Sequence, residues 1–157
     1  MCANGNSATR ALTNSPAGNG PSGTGMYPFD FSGGYPRVSD DGRYVVFESE
    51  ASNLATGATD NNHVQSNTNN RRDIFVRDLT LNTTRQISVA ANGAAGGNSG
   101  SFTPAVSDNF VYVAFESRAS NLVTGDNNLI FQDIYVRDLS GLTTTLASRH
   151  SPLLPDQ

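Results

Sequence analysis

The chain has 157 residues, a formal net charge of −4 and only 15% charged residues. All of its basic residues are arginines and they form no long run, so the sequence does not favour binding to a nucleic-acid backbone. No segment approaches the roughly 18 apolar residues of a membrane helix, the lone Cys2 excludes an intrachain disulfide, and residues 1–25 lack the pattern of a signal peptide.

A tandem repeat organises most of the sequence. Tyr44–Ser49 recurs as Tyr112–Ser117 with one substitution, and Asp73–Leu79 recurs as Asp133–Leu139, also with one. The offset between the copies falls from 68 to 60 residues, so the first copy carries eight additional residues between these two segments. Repeated units of this kind stack on their neighbours to bury a continuous core.

Each copy is predicted to form four short strands, because segments rich in β-branched and aromatic residues alternate with turn-forming Asn, Asp and Gly. In chain order, the sequence predicts the last strand of a preceding unit and a loop at 8–35, a first unit at 36–89, a connecting loop at 90–103, a second unit at 104–148 and a tail at 149–157. The strands of the first unit are placed at Pro36–Ser39, Arg43–Ser49, Asp73–Leu79 and Thr84–Val89, and the second unit repeats them. Since no segment shows capped helical periodicity, the predicted fold class is all-β.

The middle strands should be covered on both faces if the units stack on one another. We therefore predict that Phe47 and Phe115 are buried at equivalent positions, and that Val76 and Val136 are buried likewise.

Three motifs carry a family resemblance: Val38–Arg43, Val46–Ser49 and Asp73–Leu79. They resemble the WD40-like (PD40) repeat of TolB-type β-propellers, and Ala119–Asp126 is similar to a long-loop bacterial variant of that repeat. The resemblance implies two four-stranded antiparallel blades plus a terminal strand, within a larger propeller, because propellers close with typically 4–8 blades. It also implies a bacterial, periplasmic or extracellular domain that binds a protein or a small ligand.

Asp and Asn cluster in the loop that precedes the third strand of each copy. The candidate ligands are Asp126, Asn128 and Asp133 in the second copy and Asn67, Asn69 and Asp73 in the first. Oxygen donors of this kind are those that calcium prefers, so calcium is the one cofactor that the sequence suggests. The alternative is that these side chains bond their own backbone and stabilise a long turn, and the spacing does not match an EF-hand loop.

One repeated charged pair is interpreted as structural. Arg77-Asp78 recurs as Arg137-Asp138, which favours an ion pair or a turn contact that belongs to the fold.

Glu48 and Glu116 hold one repeat position, and each is expected to bond within its own unit rather than to form a catalytic pair. The segment Gly97–Ser101 fails the nucleophile-elbow pattern at its last position, and the two histidines, His63 and His150, are interpreted as surface residues. The sequence therefore predicts a non-enzymatic binding or scaffold module. The alternative is a propeller fragment of a hydrolase or peptidase whose catalytic domain is absent here.

Two stacked units cover only one face of each other. Exposed apolar faces and open sheet edges promote association. We therefore expect that the isolated chain self-associates or belongs to a longer propeller.

Overall fold

The computed structural model of the chain describes residues 36–52, 54–55, 62, 71–126 and 131–149. Within these ranges the chain is all-β, without a helix, and forms two four-stranded antiparallel sheets whose strands lie in sequence order. The first sheet consists of β1 (Arg37–Val38), β2 (Tyr44–Ser49), β3 (Asp73–Asp78) and β4 (Thr83–Gln86). The second consists of β5 (Ser101–Val106), β6 (Tyr112–Ser117), β7 (Asp133–Asp138) and β8 (Thr143–Leu146). The terminal strand predicted within 8–35 lies outside the described residues.

The observed strands match the predicted ones closely in the middle of each sheet and less well at the edges. β6 has the predicted bounds, and β2 begins one residue later than predicted. β4 ends at Gln86, three residues before the predicted end at Val89, and Val89 pairs with Gly96 in an isolated bridge. β5 begins at Ser101, inside the segment 90–103 that was predicted as a loop.

The tight turns of the two sheets have the same hydrogen bonds but different residues at the left-handed position. Gly42 has a φ of 69°, and Phe110 occupies the equivalent position with a φ of 56°. The left-handed conformation is costly for a residue with a bulky side chain. Phe110 offsets part of that cost by stacking on Tyr44 of the first sheet, with ring centroids 4.9 Å apart.

A second pair of turns offers a test of this backbone cost. Leu142, between β7 and β8, has a φ of 53°, whereas its counterpart Asn82 has a φ of 59°. Because asparagine tolerates this conformation better than leucine, Leu142→Asn should raise the free energy of unfolding by about 1 kcal/mol in a urea titration. Leu81→Asn is the matched control, since Leu81 is also an exposed turn leucine but has no positive φ, and it should change stability by less than about 0.5 kcal/mol. A destabilising Leu142→Asn would contradict this explanation.

The two faces of each sheet carry different side chains, because neighbouring residues of a strand point to opposite sides. We call one side the aromatic face: Val45, Phe47 and Phe75 in the first sheet, and Val113, Phe115 and Tyr135 in the second. We call the other side the glutamate face: Val46, Glu48, Ile74 and Val76 in the first sheet, and Ala114, Glu116, Ile134 and Val136 in the second.

The two sheets have the same orientation in the stack, so that the glutamate face of the first packs on the aromatic face of the second. The apolar residues of the first sheet's glutamate face and of the second sheet's aromatic face form one buried cluster, together with Ala119 and Leu122. The first sheet's aromatic face forms a separate buried cluster with Ala51 and Leu54. Among the described residues, neither cluster includes the glutamate face of the second sheet.

This stacking confirms one burial prediction and corrects the other. Phe47 and Phe115 are both buried, as predicted. Val76 is buried, but Val136 is only half-buried, so the prediction for Val136 is wrong. The reason is that Val76 lies against the second sheet, whereas Val136 lies on the glutamate face that no described sheet covers.

Candidate functional site

The glutamate face of the second sheet, which no other described strand covers, is the candidate site. Its central residue Ile134 is 41% exposed, although Ile74 at the equivalent place in the first sheet is fully buried. Glu116 is half-buried on the same face, next to Ile134 in the β6–β7 pairing. An exposed apolar patch with polar groups beside it is a feature of interaction surfaces.

The covered counterpart in the first sheet shows what this kind of face binds. Glu48 is fully buried, and its Oε1 accepts a 2.5 Å hydrogen bond from the backbone N–H of Thr103 in β5. Its Oε2 bonds to the Arg72 guanidinium at 3.2 Å. In addition, the Ser101 N–H donates to the Arg72 carbonyl at 2.7 Å. Glu48 therefore links the two sheets, which corrects the expectation that it bonds only within its own unit.

The strand that reaches Glu48 has an irregular backbone. β5 shifts its register between Phe102 and Ala105, and Thr103 in this bulge has a φ of 48°. The left-handed conformation costs roughly 1–2 kcal/mol for a residue with a side chain. A charge-assisted hydrogen bond to a buried carboxylate offsets a cost of this size. Pro104 follows directly and has no N–H to leave unpaired, which suits a bulge.

In the second sheet, no described strand reaches Glu116 as β5 reaches Glu48. Glu116 accepts a hydrogen bond from the side chain of Gln132, which occupies the position of Arg72. As expected, Glu116 thus bonds within its own unit. Because residue 132 is a glutamine and not an arginine, it does not give Glu116 the cationic partner that Arg72 gives Glu48.

The predicted calcium ligands that the structure describes are engaged with protein groups. Asp126 Oδ2 accepts a 2.5 Å hydrogen bond from the Tyr135 hydroxyl, and burial raises the pKa of that hydroxyl above its ordinary value. Asp73 and Asp133 accept hydrogen bonds from Ser88 and Ser148, both at 2.6 Å. These two aspartates belong to different sheets, because Asp73 begins β3 and Asp133 begins β7.

The remaining predicted ligands, Asn67, Asn69 and Asn128, lie outside the described residues. Within the described part of the chain, no three acidic, histidine or cysteine side chains come together as a metal-binding group.

Calcium binding at the loop before β7 stays a prediction. Titration calorimetry of the natural chain and of Asp126→Asn with calcium tests it. This change keeps an oxygen acceptor for Tyr135 but removes the charge that attracts the cation, so it should reduce the heat of calcium binding, and an unchanged heat would contradict a site at this loop.

The repeated Arg-Asp pair makes turn contacts. Asp78 accepts hydrogen bonds from the N–H groups of Thr80 and Leu81, and Asp138 does the same in its own turn. Asp78 also forms a 2.8 Å ion pair with Arg43, and the hydrogen bonds from Arg43 lower the pKa of the Asp78 carboxyl to about 2. This arrangement agrees with the structural interpretation of the pair.

The Arg77 guanidinium donates a 3.0 Å hydrogen bond to Thr84 Oγ1, and Arg137 donates a 2.9 Å bond to Thr144 Oγ1. Each arginine therefore ties the third strand of its sheet to the fourth.

A groove of about 300 Å³ lies at one end of the first sheet. Its walls are formed by Arg43, Tyr44, Val76, Asp78, Leu81, Thr83 and Arg85. The Arg43–Asp78 ion pair neutralises part of its charge. Neither Arg43 nor Arg85 is repeated, since Val111 and Thr145 stand at their places in the second copy.

Reasoning from the sequence missed the link between Glu48 and Thr103. The available signal was that Glu48 recurs as Glu116 inside an apolar strand, where an unpaired carboxylate would be costly. That pattern requires a hydrogen-bond donor, but it does not say that the donor is a backbone N–H of the neighbouring sheet.

In the described ranges, no helix is long and apolar enough to cross a membrane. No protein-family model matches the chain, and comparisons with curated proteins and with solved structures find no match either.

Proposed function

We propose that the chain is a non-enzymatic binding or scaffold module of a bacterial TolB-like β-propeller protein, in which the two sheets are consecutive blades. One observation carries the proposal: the glutamate face of the first sheet packs on the aromatic face of the second, so that unlike faces meet. A stack of this kind repeats without limit until it closes on itself or meets a capping partner. The face left over is then a surface for binding and not a surface adapted to solvent.

The composition of that face supports a binding role. Ile134 and Val136 present apolar surface, and the β-branched side chains correspond to Ile74 and Val76, which are buried in the first sheet. Removing apolar surface from water contributes roughly 25 cal/mol per Å², so a partner that covers this face gains binding energy from it. The periplasmic or extracellular location implied by the family resemblance is part of the same proposal.

Light scattering across a tenfold range of protein concentration tests the proposal. We expect the mean mass of the chain to rise with concentration, because the exposed face promotes association. Ile134→Glu places a charge in the middle of this face and should shift the chain towards monomer. Arg37→Glu is the control, since Arg37 is exposed but lies in β1 of the first sheet. A monomer at all concentrations, or equal association by Ile134→Glu, would contradict a binding role for this face.

A further inference from the structure

We propose that the glutamate face of the second sheet binds the leading strand of a further four-stranded sheet of this repeat type, and that Glu116 accepts a backbone N–H from a bulge in that strand. The inference rests on the proposed function, and it specifies the partner and the contact that recognises it.

The contact between the two described sheets defines what the partner must present. β5 places two N–H groups, two residues apart, against the first sheet: Ser101 bonds to the Arg72 carbonyl at 2.7 Å and Thr103 bonds to Glu48 at 2.5 Å. A strand presents the N–H groups of residues i and i+2 on one side. The bulge at Thr103 turns its N–H out of the sheet ladder and towards the glutamate.

The second sheet offers the corresponding acceptors. Glu116 stands in the place of Glu48, and Gln132 supplies a backbone carbonyl in the place of Arg72. Ile134 and Val136 form the apolar floor beside them, as Ile74 and Val76 do under β5. Gln132 donates to Glu116 Oε2, as Arg72 does to Glu48 Oε2, and a covering strand that brings an N–H to Oε1 completes the arrangement seen at Glu48. Covering a carboxylate without such a donor is costly, so Glu116 selects for a strand that supplies one.

The partner is a sheet with an uncovered aromatic face, and the described sheets of a second copy of this chain do not provide one, so copies of the chain associate only through apolar contact that lacks this hydrogen bond. In the first sheet, Val45, Phe47 and Phe75 of the aromatic face are already buried. In the second sheet, the aromatic face is buried against the first. A separate sheet that presents the features of β5 and β6 on a free aromatic face meets the requirement.

The experiment supplies such a sheet by adding a further copy of residues 98–149 after Gln157. Twelve residues then separate Ser148 from the added Ser101, which equals the spacing between Ser88 and Ser101 in the chain. Amide hydrogen exchange and thermal melts are measured for the natural chain and for the extended chain. We expect the backbone N–H of the added copy of Thr103 to exchange at least about tenfold more slowly than an exposed amide, and the Ile134 region to gain protection.

Glu116→Ala is then made in both chains. In the extended chain it should remove the protection of the added Thr103 N–H and lower the melting temperature by about 5 °C. In the natural chain the same change should shift the melting temperature by no more than about 1 °C, because Glu116 is half-exposed there. Glu116→Gln keeps an acceptor oxygen and should preserve part of the protection.

The outcomes separate this inference from the proposed function. An added sheet that folds and protects Ile134, but is indifferent to Glu116→Ala, would overturn the Glu116 contact and leave the binding role of the face in place. An added sheet that gives Ile134 no protection, in a natural chain that also stays monomeric, would overturn both.

Discussion

Replacing Phe47 by alanine is expected to lower the free energy of unfolding by about 3–5 kcal/mol, since a fully buried phenylalanine is lost from a packed core. Phe47 is 2% exposed, and its ring stacks on Phe75 with the centroids 5.9 Å apart. It belongs to the cluster that Ala51 and Leu54 complete on the aromatic face of the first sheet. Because natural domains are stable by about 5–15 kcal/mol, a loss of this size should be evident in a urea titration.

Phe131→Ala is the matched control for this change. Phe131 is 66% exposed, so the same truncation should alter the free energy of unfolding by less than about 0.5 kcal/mol. If Phe47→Ala and Phe131→Ala had similar small effects, Phe47 would not lie in a packed core and the assignment of the aromatic face would be wrong.

Replacing Glu48 by alanine is expected to cost about 3 kcal/mol, although the change removes a charge from the protein interior. Glu48 is fully buried, and its loss would leave the Thr103 N–H without its acceptor at the contact between the sheets. Removing one partner of a buried, hydrogen-bonded charge is strongly destabilising, because the other group stays desolvated. The strained conformation of Thr103 would also lose the bond that offsets it.

Glu116→Ala serves as the control for Glu48→Ala, because the two glutamates hold the same repeat position but only Glu48 is covered. Glu116→Ala should change the free energy of unfolding by less than about 0.5 kcal/mol. Equal costs for the two substitutions would mean that coverage by the neighbouring sheet does not distinguish the two positions.

The strands of both sheets could be predicted from the sequence because the repeat marks them twice. The segments Tyr112–Ser117 and Asp133–Leu139 are predicted as strands by their similarity to the first copy, and β6 and β7 match them except that β7 ends one residue earlier, at Asp138. The start of β5 was missed, since its polar residues Ser101 and Thr103 resemble the Gly- and Asn-rich segment before them.

The direction of stacking could not be predicted from the sequence. The repeat describes each unit by itself and is the same whichever face meets the neighbouring unit. Val76 and Val136 therefore received the same prediction, although only Val76 lies under the second sheet. For the same reason Glu48 was expected to bond within its own unit, while the structure shows its bond to Thr103 across the sheets.

Methyl NMR of the two equivalent isoleucines tests the central claim most directly. If the glutamate face of the first sheet packs on the aromatic face of the second, the Ile74 methyl groups should show nuclear Overhauser effects to the ring protons of Phe115 or Tyr135. In dilute protein, the Ile134 methyl groups should show none to these rings and should be broadened by a soluble paramagnetic agent, because Ile134 is 41% exposed. Contacts of Ile134 with these rings, or equal broadening of both isoleucines, would contradict the proposed direction of stacking.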